Sequence, residues 1–183
     1  MHFASRVRHG LFTFLLSLVL GCSYTPPVSP PLLAPVSAAP LTTVVKVHDG
    51  DTITVLSQNT SQRLRLAGID RPESDQPYGA DTTDTTKSLA LDIAVMVTPV
   101  TTDRFGRTVA EVTLQDGRSL AHELVKGGAC WWFYKDAPHD VVLKQLESEA
   151  RKQRLGLWAT ESPMPPWEWR AQHRDATKRS IQD

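Results

Sequence analysis

Apolar and polar residues alternate with a period of two along several short stretches of the chain, a pattern typical of half-buried β-strands. Turn-forming residues separate the predicted strands, which lie at 42–48, 51–57, 62–69, 93–101 and 108–114. The Asp49-Gly50 pair between the first two strands predicts a tight hairpin, because aspartate and glycine tolerate positive φ. Residues 102–107 predict a second hairpin, and Asp116-Gly117 predicts a further turn.

Other stretches favour helices, which are predicted at 79–92, 119–126 and 139–154. The first is rich in threonine, a mediocre helix former. The second stops at Gly127-Gly128, and the third places Leu143, Leu146 and Ala150 on one face before ending at Gly156. Short strands with interspersed helices fit a mainly β fold with α-helices (α+β), namely a five-stranded OB-type barrel with about three helices.

The first residues have the pattern of an export signal. Arg6 and Arg8 precede an apolar run that ends at Gly21 and is too short to span a bilayer as a mature helix, so residues 1–21 are predicted to be a signal peptide. Gly21-Cys22 resembles a bacterial lipobox, which predicts cleavage before Cys22, acylation of its thiol and attachment to a membrane. The alternative is ordinary secretion with cleavage near Ala38-Ala39. Both interpretations predict an exported protein.

Composition divides the remainder of the chain. Residues 22–41 are rich in proline and uncharged, which favours an extended tether over a proline-rich docking motif. Residues 42–170 form the predicted domain, and residues 171–183 a polar C-terminal tail.

Trp167 and Trp169 are expected to pin the end of the domain, although they are also candidates for stacking on bases. Cys130 is predicted to be a small buried hydrophobe without a disulfide partner.

Net charge does not by itself predict a polyanion ligand. Removal of residues 1–21 leaves 18 basic and 20 acidic residues, because Arg6 and Arg8 are lost and no acid is. Binding of nucleic acid would therefore depend on a local basic patch together with a bound metal.

Carboxylates and arginines cluster between residues 49 and 73. Aspartates near strand ends supply the oxygen ligands that a hard divalent cation prefers. A further carboxylate can act as a general base toward water, and guanidinium groups can grip a phosphate through two hydrogen bonds. Each of these groups of charged residues, taken alone, also has an ordinary interpretation as a turn, a helix start or a solvated face. Together they indicate chemistry on a phosphodiester.

The order of these motifs resembles the thermonuclease (staphylococcal nuclease-like) family over roughly residues 42–170. The matching segments are Asp49-Gly50-Asp51-Thr52, Arg65 through Glu73, Tyr78-Gly79, Asp103 through Arg107, Leu124 through Ala129, Glu149-Ala150-Arg151 and Gly156-Leu157-Trp158. The resemblance implies an OB-type barrel and a calcium-dependent nuclease acting on DNA or RNA, which leaves 3′-phosphate and 5′-hydroxyl ends. No obligate protein partner is evident from the sequence, and we expect a monomer.

The resemblance also implies roles for individual residues. Asp51, Asp70 and the backbone carbonyl of Arg71 would bind Ca²⁺, with Asp49 nearby. Glu73 would activate the attacking water, and two arginines would hold the scissile phosphate, namely Arg65 and Arg107. Further candidates for nucleic-acid binding are Arg63, Arg104, Phe105, Tyr134 and Lys135.

One departure from the family pattern is Phe105, which stands where tyrosine is common, so a hydroxyl contact is lost while stacking is retained. The rival hypothesis is a catalytically silent OB-fold module that binds single-stranded nucleic acid or a protein partner. A third is a structural lipoprotein whose charges form surface ion pairs. Retention of all five charged groups favours the enzyme, since a silent module has no physical need of them: Asp51, Arg65, Asp70, Glu73 and Arg107.

Overall fold

The computed structural model describes the backbone of residues 41–182 and the side chains of residues 41–174. The predicted signal peptide, the lipidation site at Cys22 and all but the last residue of the proline-rich tether lie outside the described residues. Within the described part, none of the helices combines the length and the apolar character needed to cross a bilayer.

The strands of the described residues are β1 (Thr42–Asp49), β2 (Thr52–Ser57), β3 (Thr60–Leu66), β4 (Ile69–Asp70), β5 (Ala94–Thr102), β6 (Thr108–Leu114) and β7 (Trp131–Trp132). A closed barrel forms in the order β1-β2-β3-β6-β5. Its neighbours are antiparallel except β3 and β6, which run parallel with Arg65 opposite Val109. This arrangement confirms the predicted five-stranded OB-type barrel within residues 41–182.

Alternation along the strands fills the barrel. Ile53 on β2 and Leu64 and Leu66 on β3 are almost completely buried, whereas Arg63 is exposed and Arg65 is half-buried. Burial of each large aliphatic side chain contributes about 1.5–3 kcal/mol, so this inward face fixes the register of β3. The register places Arg65 at the end of the strand, opposite Thr52 at the start of β2.

The helices are α1 (Gly79–Ala90), α2 (Leu120–Lys126), α3 (Val141–Lys152) and α4 (Pro166–Gln182). The Ser119 and Asp140 side chains cap α2 and α3, accepting from the backbone N–H groups of His122 and Leu143. The first three helices confirm the predicted ones, with ends within two residues. The sequence did not predict α4, which continues as far as Gln182 through the segment expected to be a polar tail, because its polar composition has no apolar stripe.

The threonines of α1 explain why this helix forms despite its composition. Thr82 donates from Oγ1 to the Ala129 carbonyl at 2.7 Å, and Thr86 donates from Oγ1 to the Gly50 carbonyl at 2.9 Å. Both side chains are fully buried. The hydroxyls thus tie α1 to the segment after α2 and to the turn between β1 and β2, which compensates for the low helix propensity of threonine.

The short pair of β4 and β7 was also not predicted. Ile69 pairs with Trp132, and Asp70 pairs with Trp131. Two-residue strands leave no periodic pattern in a sequence, so only the tertiary structure reveals them. Their pairing brings the chain after residue 131 alongside Asp70.

Candidate active site

One end of the barrel opens into a cleft of about 1150 Å³. The structure brings most of the predicted site residues to its walls, namely Asp49, Asp51, Arg65, Asp70, Arg71, Glu73, Arg104, Phe105, Arg107 and Lys135. Arg63 and Tyr134 do not line it. Both predicted residues therefore lie outside the cleft, and their role in nucleic-acid binding stays a prediction.

Two buried carboxylates form the floor of the cleft. Asp51 is 3% exposed and Asp70 is 2% exposed. The Arg65 guanidinium bridges them, with Nη1 at 2.7 Å from Asp51 Oδ2 and Nη2 at 3.3 Å from Asp70 Oδ1. Nη2 of the same group also donates to the Ile69 carbonyl at 3.0 Å. One arginine thus holds the ends of β2 and β4 together.

Burial raises the pKa of Asp51, and the positive charge of Arg65 opposes that rise. For Arg65 itself, burial lowers the pKa, but the charges of Asp51 and Asp70 raise it by more. The net effect is an arginine held firmly in its charged form beside a carboxylate that is costly to ionise. A site of this kind attracts cations, because each buried negative charge gains from a positive partner.

The turn that presents Asp51 is fixed from two sides. The Asp51 N–H donates to Asp49 Oδ1 at 3.2 Å, and the Arg71 N–H donates to Asp51 Oδ2 at 3.2 Å. The Gly50 carbonyl accepts the buried Thr86 hydroxyl described above. These bonds orient the Asp51 carboxylate toward β4 before any ligand arrives.

Glu73 lies at the edge of the floor, beside Arg71. The Arg71 guanidinium is 3.7 Å from Glu73 Oε2 and 3.5 Å from Asp49 Oδ2, and it donates to the Pro72 carbonyl at 2.6 Å. The Glu73 N–H donates to Gln76 Oε1 at 3.1 Å. Gln76 is buried and its amide donates to the Met164 carbonyl, which anchors the backbone of Glu73 to the C-terminal part of the chain.

A residue that the sequence did not single out as part of the site joins this group from α4. Arg170 donates from Nη1 to Glu73 Oε1 at 2.7 Å and from Nη2 to Asp70 Oδ2 at 2.6 Å. Arg170 is 97 positions from Glu73 and 100 positions from Asp70 in the sequence, so no local pattern connects them. The sequence signal that points to it is the spacing of Trp167 and Arg170, which lie one helical turn apart on the same side of α4.

Arg107 approaches the cleft from the hairpin between β5 and β6. Asp103 accepts from the backbone N–H groups of Phe105 and Arg107 at 2.8 and 2.9 Å, and from Arg107 Nε at 2.7 Å. Desolvation raises the pKa of Asp103, but these hydrogen bonds lower it by more. The hairpin therefore presents the remaining Arg107 donors in a fixed direction.

Phe105 stands at the tip of the hairpin and is 69% exposed. The Arg104 guanidinium carbon lies 4.7 Å from the centre of its ring, and that of Arg107 lies 5.6 Å away. An exposed aromatic ring between two cations is an arrangement that suits a base stacked on the ring and a phosphate beside it.

The oxygen atoms on the floor of the cleft suit a hard divalent cation. Asp51 and Asp70 offer buried carboxylate oxygens bridged by one guanidinium, and the Arg71 backbone is hydrogen bonded to the first of them. Oxygen donors of this type are those that calcium prefers. Among residues 41–174, no group of three or more His, Cys, Asp and Glu side chains gathers as a metal centre. The residues fit a site of two carboxylates completed by backbone carbonyls and water.

Comparisons with known proteins place the sequence among nucleases. The family model described as staphylococcal nuclease homologue matches residues 63–160. A protein described as an uncharacterized endonuclease of Escherichia coli is 44% identical over 127 residues, covering 69% of this chain and 82% of that protein. The micrococcal nuclease of Shigella flexneri is 37% identical over 143 residues, covering 73% and 82%. A staphylococcal-like nuclease of Arabidopsis thaliana is 38% identical over 112 residues, covering 61% and 34%.

Proposed function

Since the chain belongs to the staphylococcal nuclease family, we propose that it is a calcium-dependent nuclease that hydrolyses phosphodiester bonds of DNA or RNA. The observation that supports this most strongly is the Arg65 guanidinium bridging two buried carboxylates, Asp51 and Asp70, in the cleft that also contains Glu73 and Arg107. The names of similar proteins, which include endonucleases and a micrococcal nuclease, support the same class of reaction.

Glu73 acts as the general base in this proposal. Its carboxylate takes a proton from a water molecule, whose oxygen forms a bond to phosphorus while the bond from phosphorus to the 5′ oxygen breaks. The leaving oxygen takes up a proton to become a 5′-hydroxyl, and the phosphate stays on the 3′ side. Glu73 suits this role because it lies at the edge of the cleft and is only partly buried, with water able to reach it.

Arg65 and Arg107 hold the scissile phosphate from two sides. Charge accumulates on the phosphoryl oxygens in the trigonal-bipyramidal transition state, so fixed guanidiniums stabilise it more than the ground state. Asp103 orients Arg107 through its Nε and leaves its terminal nitrogens for the substrate. A cation held by Asp51 and Asp70 would take the place of Arg65 as their partner, which would leave this guanidinium for the phosphate.

Calcium would be held by Asp51, Asp70 and the carbonyl of Arg71, and it would supply Lewis-acid stabilisation of the phosphoryl oxygens. The two aspartates would supply the negative charge for the cation, and both are almost completely buried. Asp49 lies next to this set through its bond to the Asp51 N–H.

Nucleic acid is proposed to enter along the hairpin that presents Arg104 and Phe105 in the cleft that Lys135 also lines. The exposed Phe105 ring offers a stacking surface without reading base identity. Arg63 and Tyr134 do not line the cleft and are proposed to contact strands of nucleic acid that extend beyond it.

Export and membrane attachment complete the proposal. The apolar run after Arg8 and the Gly21-Cys22 pair support a lipid anchor on Cys22, with secretion as a soluble protein as the alternative. Acylation is tested by metabolic labelling with a fatty acid. Loss of the label in Cys22→Ala is the expected result, and an unlabelled wild type would contradict the anchor.

The function is tested by cleavage of single- and double-stranded DNA by the purified protein, with calcium or with a chelator. Arg107→Ala is compared with Arg118→Ala, because Arg118 makes the same paired contacts to Asp116 in another hairpin outside the cleft. We expect cleavage that requires calcium, falls at least a hundredfold in Arg107→Ala and persists in Arg118→Ala. A folded protein that binds DNA without cleaving it would instead support the silent module.

Replacement of Glu73 by Gln tests the base separately. This variant keeps the shape of the side chain but cannot take the proton, so we expect calcium and nucleotide binding to remain while turnover falls about 10²- to 10⁴-fold. Calorimetric binding and steady-state cleavage measure the two quantities. Cleavage as fast as that of the parent protein would remove Glu73 from the mechanism.

A further inference from the structure

Helix α4 reaches the active site from outside the family match. The match ends at residue 160, whereas α4 begins at Pro166. Its first turn is anchored by Trp167, whose ring centre lies 5.7 Å from that of Trp131 and 5.4 Å from that of Phe133. The side chain one turn further along is Arg170, which lines the cleft.

Arg170 binds two carboxylates, Glu73 and Asp70, which have different tasks in the proposed mechanism. Nη1 donates to Glu73 Oε1 at 2.7 Å, and Nη2 donates to Asp70 Oδ2 at 2.6 Å. Both distances are those of strong charge-assisted hydrogen bonds. Asp70 is 3% exposed at its side chain and Glu73 is 25% exposed, so the guanidinium links a fixed carboxylate to a freer one.

This link restricts the rotation of Glu73. With Oε1 bonded to Arg170, the other oxygen is the one available to water, and it faces Arg71 at 3.7 Å. A general base must lie within hydrogen-bond reach of the proton that it removes, so loss of its orientation lowers turnover without removing the base.

We propose that Arg170 is a positioning residue that holds Glu73 for proton abstraction and thereby makes α4 an integral part of the active site. The inference rests on the proposed nuclease function. Arg170 acts through Glu73, and its packing anchor is Trp167 at the start of the helix.

Arg170 also competes with a cation for Asp70. Both oxygens of this carboxylate already have an arginine partner, since Oδ1 is 3.3 Å from Arg65 Nη2 and Oδ2 is 2.6 Å from Arg170 Nη2. Removal of Arg170 takes away one positive charge and frees one oxygen. Calcium affinity should therefore rise in the same variant whose turnover falls.

The experiment compares Arg170→Ala and Arg170→Lys with Arg174→Ala in the full chain. Arg174 is an exposed arginine one turn further along α4, so its removal costs the same charge on the same helix. Calcium binding is measured by calorimetry without substrate, kcat and KM are measured on DNA at saturating calcium, and thermal unfolding controls for folding.

For Arg170→Ala we expect kcat to fall about tenfold or more, KM to change less than about threefold and calcium to bind about threefold more tightly. Arg170→Lys should recover part of kcat, because it restores the charge and one hydrogen bond. Arg174→Ala should match the wild type in all three quantities. As a second variant, Trp167→Ala should reproduce the loss of kcat by loosening the anchor of α4.

Three outcomes would overturn the proposal. A rise of kcat together with calcium affinity would make Arg170 an inhibitory contact. A fall of both, with a lower unfolding temperature, would make it a structural support only. Values of kcat, KM and calcium affinity equal to those of Arg174→Ala would show that Arg170 has no role in the active site. Inactivity of the wild type with calcium would instead refute the proposed nuclease function, which separates the two failures.

Discussion

The hydroxyl of Thr86 anchors the turn that presents Asp51, and its replacement by valine tests this anchor. Thr86 Oγ1 is 2.9 Å from the Gly50 carbonyl oxygen, and both residues are buried. Near that oxygen also lies the Cys130 thiol, at 3.8 Å, which is a weak donor. Valine keeps the branched shape, so Thr86→Val removes the hydrogen bond without leaving a large cavity.

The expected cost follows from the burial of the carbonyl. A buried acceptor that loses its partner costs about 1–3 kcal/mol, whereas an exposed one is satisfied by water at little cost. For a chain of this size, each kcal/mol corresponds to roughly 2–4 °C in unfolding temperature. Thr86→Val should therefore unfold about 2–12 °C below the wild type.

The neighbouring Thr85 provides the control. Its Oγ1 donates to the Asp81 carbonyl at 2.8 Å on the exposed side of the same helix, so Thr85→Val removes a similar bond in water. Its cost should stay within about 0.5 kcal/mol. Urea unfolding compares the free energies of unfolding of the two variants, which requires that their m-values are equal. If Thr86→Val were no less stable than Thr85→Val, the Gly50 carbonyl would not depend on Thr86, and the account of how the turn is fixed would be wrong.

Two further predictions concern stability. A Cβ on Gly156, whose φ is +53°, would lie 2.3 Å from the Gly128 carbonyl oxygen, so Gly156→Ala should cost about 2–5 kcal/mol. Gly117 has a φ of +85° and open space around it, so Gly117→Ala should lower the free energy of unfolding by only about 1–2 kcal/mol. Equal urea midpoints for the two variants would argue against the close backbone contact at Gly156. Burial raises the pKa of Glu147 above its ordinary 4.5 despite the opposing charge of Arg151, so the native state binds that proton more tightly than the unfolded chain. The stability of the wild type relative to Glu147→Gln should fall as pH rises from 4.5 through the folded-state pKa, and a difference independent of pH between 3 and 8 would contradict this assignment.

Local patterns were sufficient to predict the barrel. Strand β6 was predicted at 108–114 and has those bounds, because alternation and the flanking turns fix both ends. The floor of the site was predictable only in part, since Asp51 lies directly before Thr52 at the start of β2, as the pattern predicted, whereas Asp70 lies in β4, which the pattern did not predict. Period two correctly separated Arg65 from its leucine neighbours. It did not distinguish the half-buried Arg65 from the exposed Arg63, because the burial of a residue near a strand end depends on the residues beyond that end.

Contacts between distant segments were not predictable. Arg170 meets Asp70 and Glu73 from a helix whose Trp167 packs against Trp131 of β7 and against Phe133, which follows that strand. Helix α1 was predicted correctly, but the role of its threonines was not. Threonine lowers intrinsic helix propensity, yet Thr82 and Thr86 donate to buried carbonyl acceptors. In both cases tertiary partners decide the role of a residue, and a single sequence does not show them.

The parallel pairing of β3 with β6 has a consequence for the order of events during folding. Residues 64 and 108 are partners although 44 positions separate them, whereas β1, β2 and β3 are joined by tight turns. The consecutive hairpins can form early, and closing the long loop is the slower step. A folding intermediate with only the first three strands would contain Asp51 and Arg65 but would lack Arg107 across from them. Recovery of nuclease activity during refolding would then follow barrel closure and lag behind the first appearance of β-structure.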